Sequence, residues 1–204
     1  MFHLNPEKVV KSNCWPTLGL VAGRTLADIL LQCADLKDYQ FDGIEWRVDF
    51  FEEGTKRQTV CEVLPQIKEA IGHIPLLFTF RTYAEGGADN LDEPGYFKMI
   101  NAVLDTGCVA AIDIEYFHAT DAIHRMQEKA KSLGIEVLLS NQSESQEIKA
   151  DILLKRVVQM QALKPDAIRM AYTLADNKDD VILQEVQFEG HKLCPEIPLL
   201  VSEL

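Results

Sequence analysis

Ionisable side chains recur at alternate positions of short β-rich runs, where the two-residue period of a strand would gather them on one face. In 43–50, Glu45, Arg47 and Asp49 share a face opposite Ile44, Trp46, Val48 and Phe50. In 75–82, Thr79 and Arg81 oppose Leu76, Phe78 and Phe80, and the run leads into Tyr83, Ala84, Glu85, Gly86 and Gly87, read as a flexible segment. In 110–117, Asp113 and Glu115 alternate with Ile112, Ile114 and Tyr116. Further on, Leu138, Ser140 and Gln142 share a face, as do Ala167, Arg169 and Ala171. Burying such groups singly costs on the order of several kcal/mol each, so they are either paired or set in a polar pocket. For one strand taken alone, the default is an ion network in which arginines neutralise Glu45, Asp49, Asp113 and Glu115. Recurrence on consecutive strands, near their C-terminal ends, favours a pocket. Arg47, Arg81 and Arg169 among carboxylates suit a small, oxygen-rich anion held by bidentate contacts. No histidine lies in these runs, so no metal is expected. His73, His118, His124 and His191 fall on or beside helices, with surface or capping roles as the default. No G-x-S-x-G marks a hydrolase nucleophile.

Positioning these faces requires strands at 17–22, 43–50, 75–82, 110–117, 135–141, 166–173 and 197–202. Helical patterns alternate with them at 25–36, 56–71, 94–106, 120–133, 145–163 and 175–189. The fourth helix shows the type, with Ala122, Ile123, Met126, Ala130 and Leu133 at core spacing and His124, Arg125, Glu128 and Lys131 on the other face. Gly134 suits a left-handed cap, Pro165 opens a turn, and Trp15 is placed near the base of the sheet. Strand–helix alternation with short connections means right-handed βαβ units and a parallel sheet, hence an α/β fold. No G-x-G-x-x-G or G-x-x-x-x-G-K-[ST] follows a strand, and strands buried on both faces of a doubly wound sheet would be continuously apolar. The charged strand faces therefore point to a single-domain (β/α) barrel of the TIM type.

The 204 residues lie near the ~200-residue floor for an eight-fold barrel, and the strand count predicts about seven strands, an incomplete barrel. With 47% hydrophobic and 25% charged residues the composition is that of an ordinary globular domain. The formal charge of −12 repels phosphate backbones and anionic lipid, so neither nucleic acid nor a membrane is expected as partner. Five scattered cysteines without a C-x-x-C, and no apolar leader, imply a reduced, cytoplasmic setting.

Taken together, Glu-Trp-Arg-Val-Asp at 45–49, Phe-Thr-Phe-Arg-Thr at 78–82 followed by Glu85-Gly86-Gly87, and Asp113-Ile114-Glu115 resemble type I 3-dehydroquinate dehydratase of the shikimate pathway. The resemblance is ordered and runs over essentially the whole chain. It implies a (β/α)8 barrel, a lyase that eliminates water from 3-dehydroquinate without a cofactor, and a homodimer. It implies a substrate-binding set of Glu45, Arg47, Arg81, Glu85, Asp113 and Glu115, in which Glu45, Arg47 and Arg81 hold the substrate and Asp113 and Glu115 support the site. The family attacks the ketone with a strand-six lysine and moves protons with a histidine after strand five. Here the matching positions read Arg169, in Asp166-Ala167-Ile168-Arg169, and Gln142, in Ser140-Asn141-Gln142. A permanently charged guanidinium cannot form an imine, and glutamine cannot cycle a proton near neutrality. The expectation is a family member without Schiff-base chemistry that still binds a small polyhydroxy carboxylate. The alternatives are changed acid–base chemistry through Glu45, Glu85 or Asp113, and a structural or interaction role. The last residues fall about where the family's seventh strand runs, so the arginine, serine, glutamine and eighth strand that follow it in the family are expected to have no counterpart.

Overall fold

The computed structural model describes residues 15–144, 149–174 and 177–204. Seven strands, β1 (Leu18–Val21), β2 (Gly43–Arg47), β3 (Leu76–Thr79), β4 (Ala111–Glu115), β5 (Glu136–Ser143), β6 (Ala167–Tyr172) and β7 (Leu199–Glu203), form one parallel sheet in sequence order. Helices α1 (Leu26–Leu36), α2 (Arg57–Ile71), α3 (Glu93–Asp105), α4 (Thr120–Leu133), α5 (Ala150–Ala162) and α6 (Asn177–Leu193) make the crossovers. In a flat sheet β2 and β6 would stand roughly 19 Å apart, four spacings of about 4.8 Å. Yet Arg169 on β6 meets Glu45 on β2 at 2.7 Å, so the sheet curls as in a barrel.

Local sequence explains the element ends. Thr25 caps α1 in a reciprocal box with Asp28, and Asp92 caps α3, whose first turn holds Pro94. Gly134 closes α4 at φ 70°, the left-handed conformation expected of it. The helical stripes pack on the outer sheet face, where Ile44, Trp46, Phe78, Ile112, Ile114 and Leu139 are fully buried. Inside the curl, Leu77, Ala111, Leu138 and Ala167 form an apolar floor against which Trp15 and Leu18 pack. The ionisable layer stands on that floor.

Several expected boundaries change. The second strand stops at Arg47, because the chain turns into a 3-10 helix at Val48–Phe50. Asp49 is therefore not a strand residue, and Phe50 leaves the core for solvent at 40% exposure. The third strand stops at Thr79, and Arg81 follows it in irregular backbone. The segment read as flexible contains a 3-10 turn, Tyr83–Glu85, closed by Gly86 at φ 79°. A Cβ on Gly87 would collide with the carbonyl oxygen of Arg81, so this close return needs glycine. The fifth strand runs on to Ser143, and α6 reaches Leu193. Residues 145–148 and 175–176, which the sequence pattern placed in helices, lie outside the described residues.

Candidate functional site

The inward positions just above the apolar floor bring together distant parts of the chain. Arg169 makes a two-pronged contact with Glu45, at 2.9 Å from Nη1 to Oε2 and 2.7 Å from Nη2 to Oε1. Its Nη2 also donates to Asp113 Oδ2 at 2.8 Å. Thr79 completes the Glu45 environment by donating to Oε1 at 2.7 Å. Burial alone would push the Glu45 carboxyl up, but the Arg169 guanidinium overrides it and holds the group down at about 2. Glu45 is thus a fixed carboxylate.

Arg81 is fully buried, and its guanidinium donates to Glu85 at 2.9 Å, Asp113 at 2.9 Å and Ser140 Oγ at 2.8 Å. Glu115 lies 3.4 Å away on the same nitrogen that meets Glu85. Ser140 passes the contact on, donating to Asp113 Oδ1 at 2.6 Å. Glu115 also accepts from the Thr82 backbone and hydroxyl, both at 2.8 Å. Arg47 chelates Asp49 with two bonds of 2.8 Å, and Asp49 in turn accepts from the backbone of Arg81 and Ala88. The 3-10 turn after β2 aims Asp49 at the loop after β3, which keeps it beside the site although it left the strand.

Every carboxylate and guanidinium selected from the alternating strands lies in this cluster, and each guanidinium already faces a carboxylate. The centre counts three arginines (47, 81, 169) against five acids (45, 49, 85, 113, 115). An additional anion would meet a net negative field unless acids are protonated.

Glu85 is the acid placed for that. Both its oxygens accept bonds, from Arg81, from Asn141 Nδ2 at 2.9 Å and from the Gln142 backbone at 2.9 Å. Burial nevertheless raises its carboxyl to about 7, more than the Arg81 charge takes back. Gln142 itself is half-buried and faces a cavity of about 440 Å3 that also reaches Glu85, Glu115, His118, Arg156 and Tyr172.

Two residues at this end were missed from the sequence. His118 is not a surface residue in character: its side chain is 13% exposed, with Nδ1 3.3 Å from Glu93 and Nε2 3.6 Å from Glu115. Its ring lies 4.3 Å from that of Tyr96. Burial would lower its pKa, but Glu115 and Glu93 together raise it. Arg156, on α5, donates to Asn141 Oδ1 at 2.8 Å and to Tyr172 Oη at 3.2 Å, with its guanidinium 4.9 Å from the Phe117 ring. The signal for His118 was its place three residues after Glu115. For Arg156 it was the flank of the buried α5 stripe Leu153, Val157 and Met160.

Among the described residues no group of three or more His, Cys, Asp or Glu side chains is arranged to hold a metal ion, and no helix is long and apolar enough to cross a membrane.

A family model described as "Type I 3-dehydroquinase" matches residues 20–202. The 3-dehydroquinate dehydratase of Clostridioides difficile (strain 630) is 32% identical over 184 residues, which is 90% of this chain and 72% of that protein. A crystal structure of type I 3-dehydroquinate dehydratase from Clostridium difficile, with covalently modified comenic acid, superimposes with a TM-score of 0.86 at 31% identity, covering 93% of this chain and 75% of that one. The Enterococcus faecalis 3-dehydroquinate dehydratase gives 0.87 at 28% identity, over 92% and 78%. Sequence and curled sheet thus agree, and the chain belongs to the type I 3-dehydroquinase family.

Proposed function

We propose that this chain keeps the barrel of the type I 3-dehydroquinases but does not dehydrate 3-dehydroquinate through a Schiff base. The observation that carries the reading is Arg169. It occupies the strand-six position where the family resemblance places the reactive lysine, and its guanidinium is committed to Glu45 and Asp113. Those two carboxylates more than offset the effect of burial and raise its pKa further, so no neutral amine is available there. Gln142 stands where the family resemblance places the histidine, and a general acid–base typically supplies a factor of about 10²–10⁴ that an amide does not. With both groups replaced, the route through an imine is absent rather than slowed.

The test is turnover of 3-dehydroquinate by the purified protein, followed by absorbance of the conjugated enone product. No turnover above the uncatalysed rate is expected. Measurable turnover that is lost in Arg169→Gln would contradict the role assigned to this position.

A second reading, an enzyme with changed acid–base chemistry, is favoured by one observation on Glu85. Of the three acids considered for that role, Glu85 lines the cavity and is raised to about 7, close to the working range of a general acid–base. Glu45, held at about 2, is a permanent counter-ion instead. Screening hydroxy-carboxylates for turnover separates the readings, because only this one expects activity, and expects its loss in Glu85→Gln.

A further inference from the structure

Among the described residues, strand β7 has a strand neighbour on one side, β6. Ile168 donates to the Pro198 carbonyl and Leu204 to the Tyr172 carbonyl, so the even-numbered residues of this stretch turn their backbone groups toward β6. The odd-numbered ones, Leu199 and Val201, turn theirs to the other side. Such a row of groups, on a strand that begins Leu199-Leu200-Val201, is a template for pairing with another chain.

Here a side chain takes that place. Gln187, on α6, donates through Nε2 to the Leu199 carbonyl at 2.9 Å and accepts from the Val201 amide through Oε1 at 2.7 Å. In a parallel ladder a residue donates to the residue before its partner and accepts from the residue after it. Opposite Leu200, one glutamine amide therefore makes the two bonds that a residue of an added strand would make. The packing of α6 brings it there. Leu183, Val186 and Gly190 form the buried stripe of the helix, and a Cβ on Gly190 would stand 2.7 Å from Leu199 Cδ2, so glycine lets α6 lie close on β7. Gln187, half-buried and three residues before Gly190, flanks that contact. Gln32 on α1 does half as much at the opposite end of the sheet, accepting from the amide of Ala22, one residue past β1, at 2.9 Å.

We propose that Gln187 is an edge lock, whose amide substitutes for a neighbouring strand and closes β7 to the same strand of a second copy of the chain. A second copy is the partner that β7 suits. In an antiparallel pair centred on Val201, Glu203 of each copy faces Leu199 of the other, so the strand's one charged residue does not meet its like.

Amide hydrogen exchange of the full chain, read residue by residue by NMR beside sedimentation of the same samples, tests the lock. In the wild type Val201 is expected to be protected, and to the same degree at every concentration. Gln187→Met keeps the length of the side chain and loses both bonds. Val201 is expected to exchange at least about tenfold faster in that variant, while Leu200, whose amide faces β6, keeps its rate. The variant is also expected to associate further than the wild type at equal concentration. Ready exchange of Val201 in the wild type overturns the lock without any variant. Equal Val201 rates in the two proteins overturn it, and so does an equal rise at Val201 and Leu200, which marks general loosening of the strand. A freed Val201 with no added association removes the role against a second copy. Wild-type protection of Val201 that grows with concentration overturns that role as well, because the edge then pairs with Gln187 in place.

Discussion

Arg169 and Arg156 stand at the same end of one barrel, both in contact with residues of the strand ends, in opposite electrostatic surroundings. Arg169 is chelated by Glu45 and bonded to Asp113, so its charge is consumed inside the chain. Among the described residues Arg156 leans on an amide, a phenol and a ring, all of them neutral. The comparison teaches that a guanidinium near a pocket says little until its partners are known. Three arginines selected from the strands face internal carboxylates, while the one from a helix has no anionic partner among the described residues.

The largest effect should come from breaking the matched centre. Arg81→Met would leave Asp113, Glu85 and Glu115 buried without their shared cation, and about 3–5 kcal/mol of stability should go, visible as a large drop in denaturation midpoint. Arg156→Gln removes no buried charge pair, and about 1 kcal/mol is expected in the same measurement. Equal losses for the two variants would erase the distinction between the regions.

Two glutamates sharpen the contrast through pH, with opposite signs. Glu45 is depressed in the fold, so its contribution is present above the ordinary carboxylate range and is lost as pH falls from 4.5 toward 2. Its full size is about 3 kcal/mol at the usual 1.36 kcal/mol per pKa unit. Glu85 is raised to about 7, so the fold prefers its protonated form and stability declines as pH climbs from 4.5 to 7. Wild-type stability should therefore peak in the mildly acidic range. In Glu85→Gln the decline toward pH 7 should shrink, while the acid-side loss stays. An unchanged profile in that variant would mean Glu85 does not titrate in this window. Raised His118 adds in the same direction as Glu85, since the stabilisation by protonated His118 is lost as pH rises through its folded value. His118→Gln should flatten the profile by a smaller amount, as this ring is closer to solvent.

Much of this was legible in the residues because strands and helices impose strict periods. Alternation in 43–47 and 111–115 identified Glu45, Asp113 and Glu115 as inward groups, and their burial follows. The period failed where the chain left the strand. Asp49 kept its neighbourhood through a 3-10 turn that no two-residue pattern encodes, and Phe50 lost its place in the core for the same reason. The pairing was beyond local reading, since Arg169 and Glu45 are 124 positions apart and meet only because the sheet curls. Arg156 and His118 were missed because a helix flank and a post-strand loop carry no alternation, and their roles appear only when α5 and the end of β4 close over one cavity. At 83–87 the two glycines permit the tight turn that seats Glu85, a geometry that no strand or helix period encodes.

The central claim, that the strand-six position holds a counter-ion instead of a nucleophile, is tested most directly by trapping. The purified protein is incubated with 3-dehydroquinate and sodium borohydride, and its intact mass is measured beside a variant carrying Arg169→Lys and Gln142→His. The account predicts an unchanged mass for the natural chain. A reduced covalent adduct on the natural chain, on any residue, would contradict it.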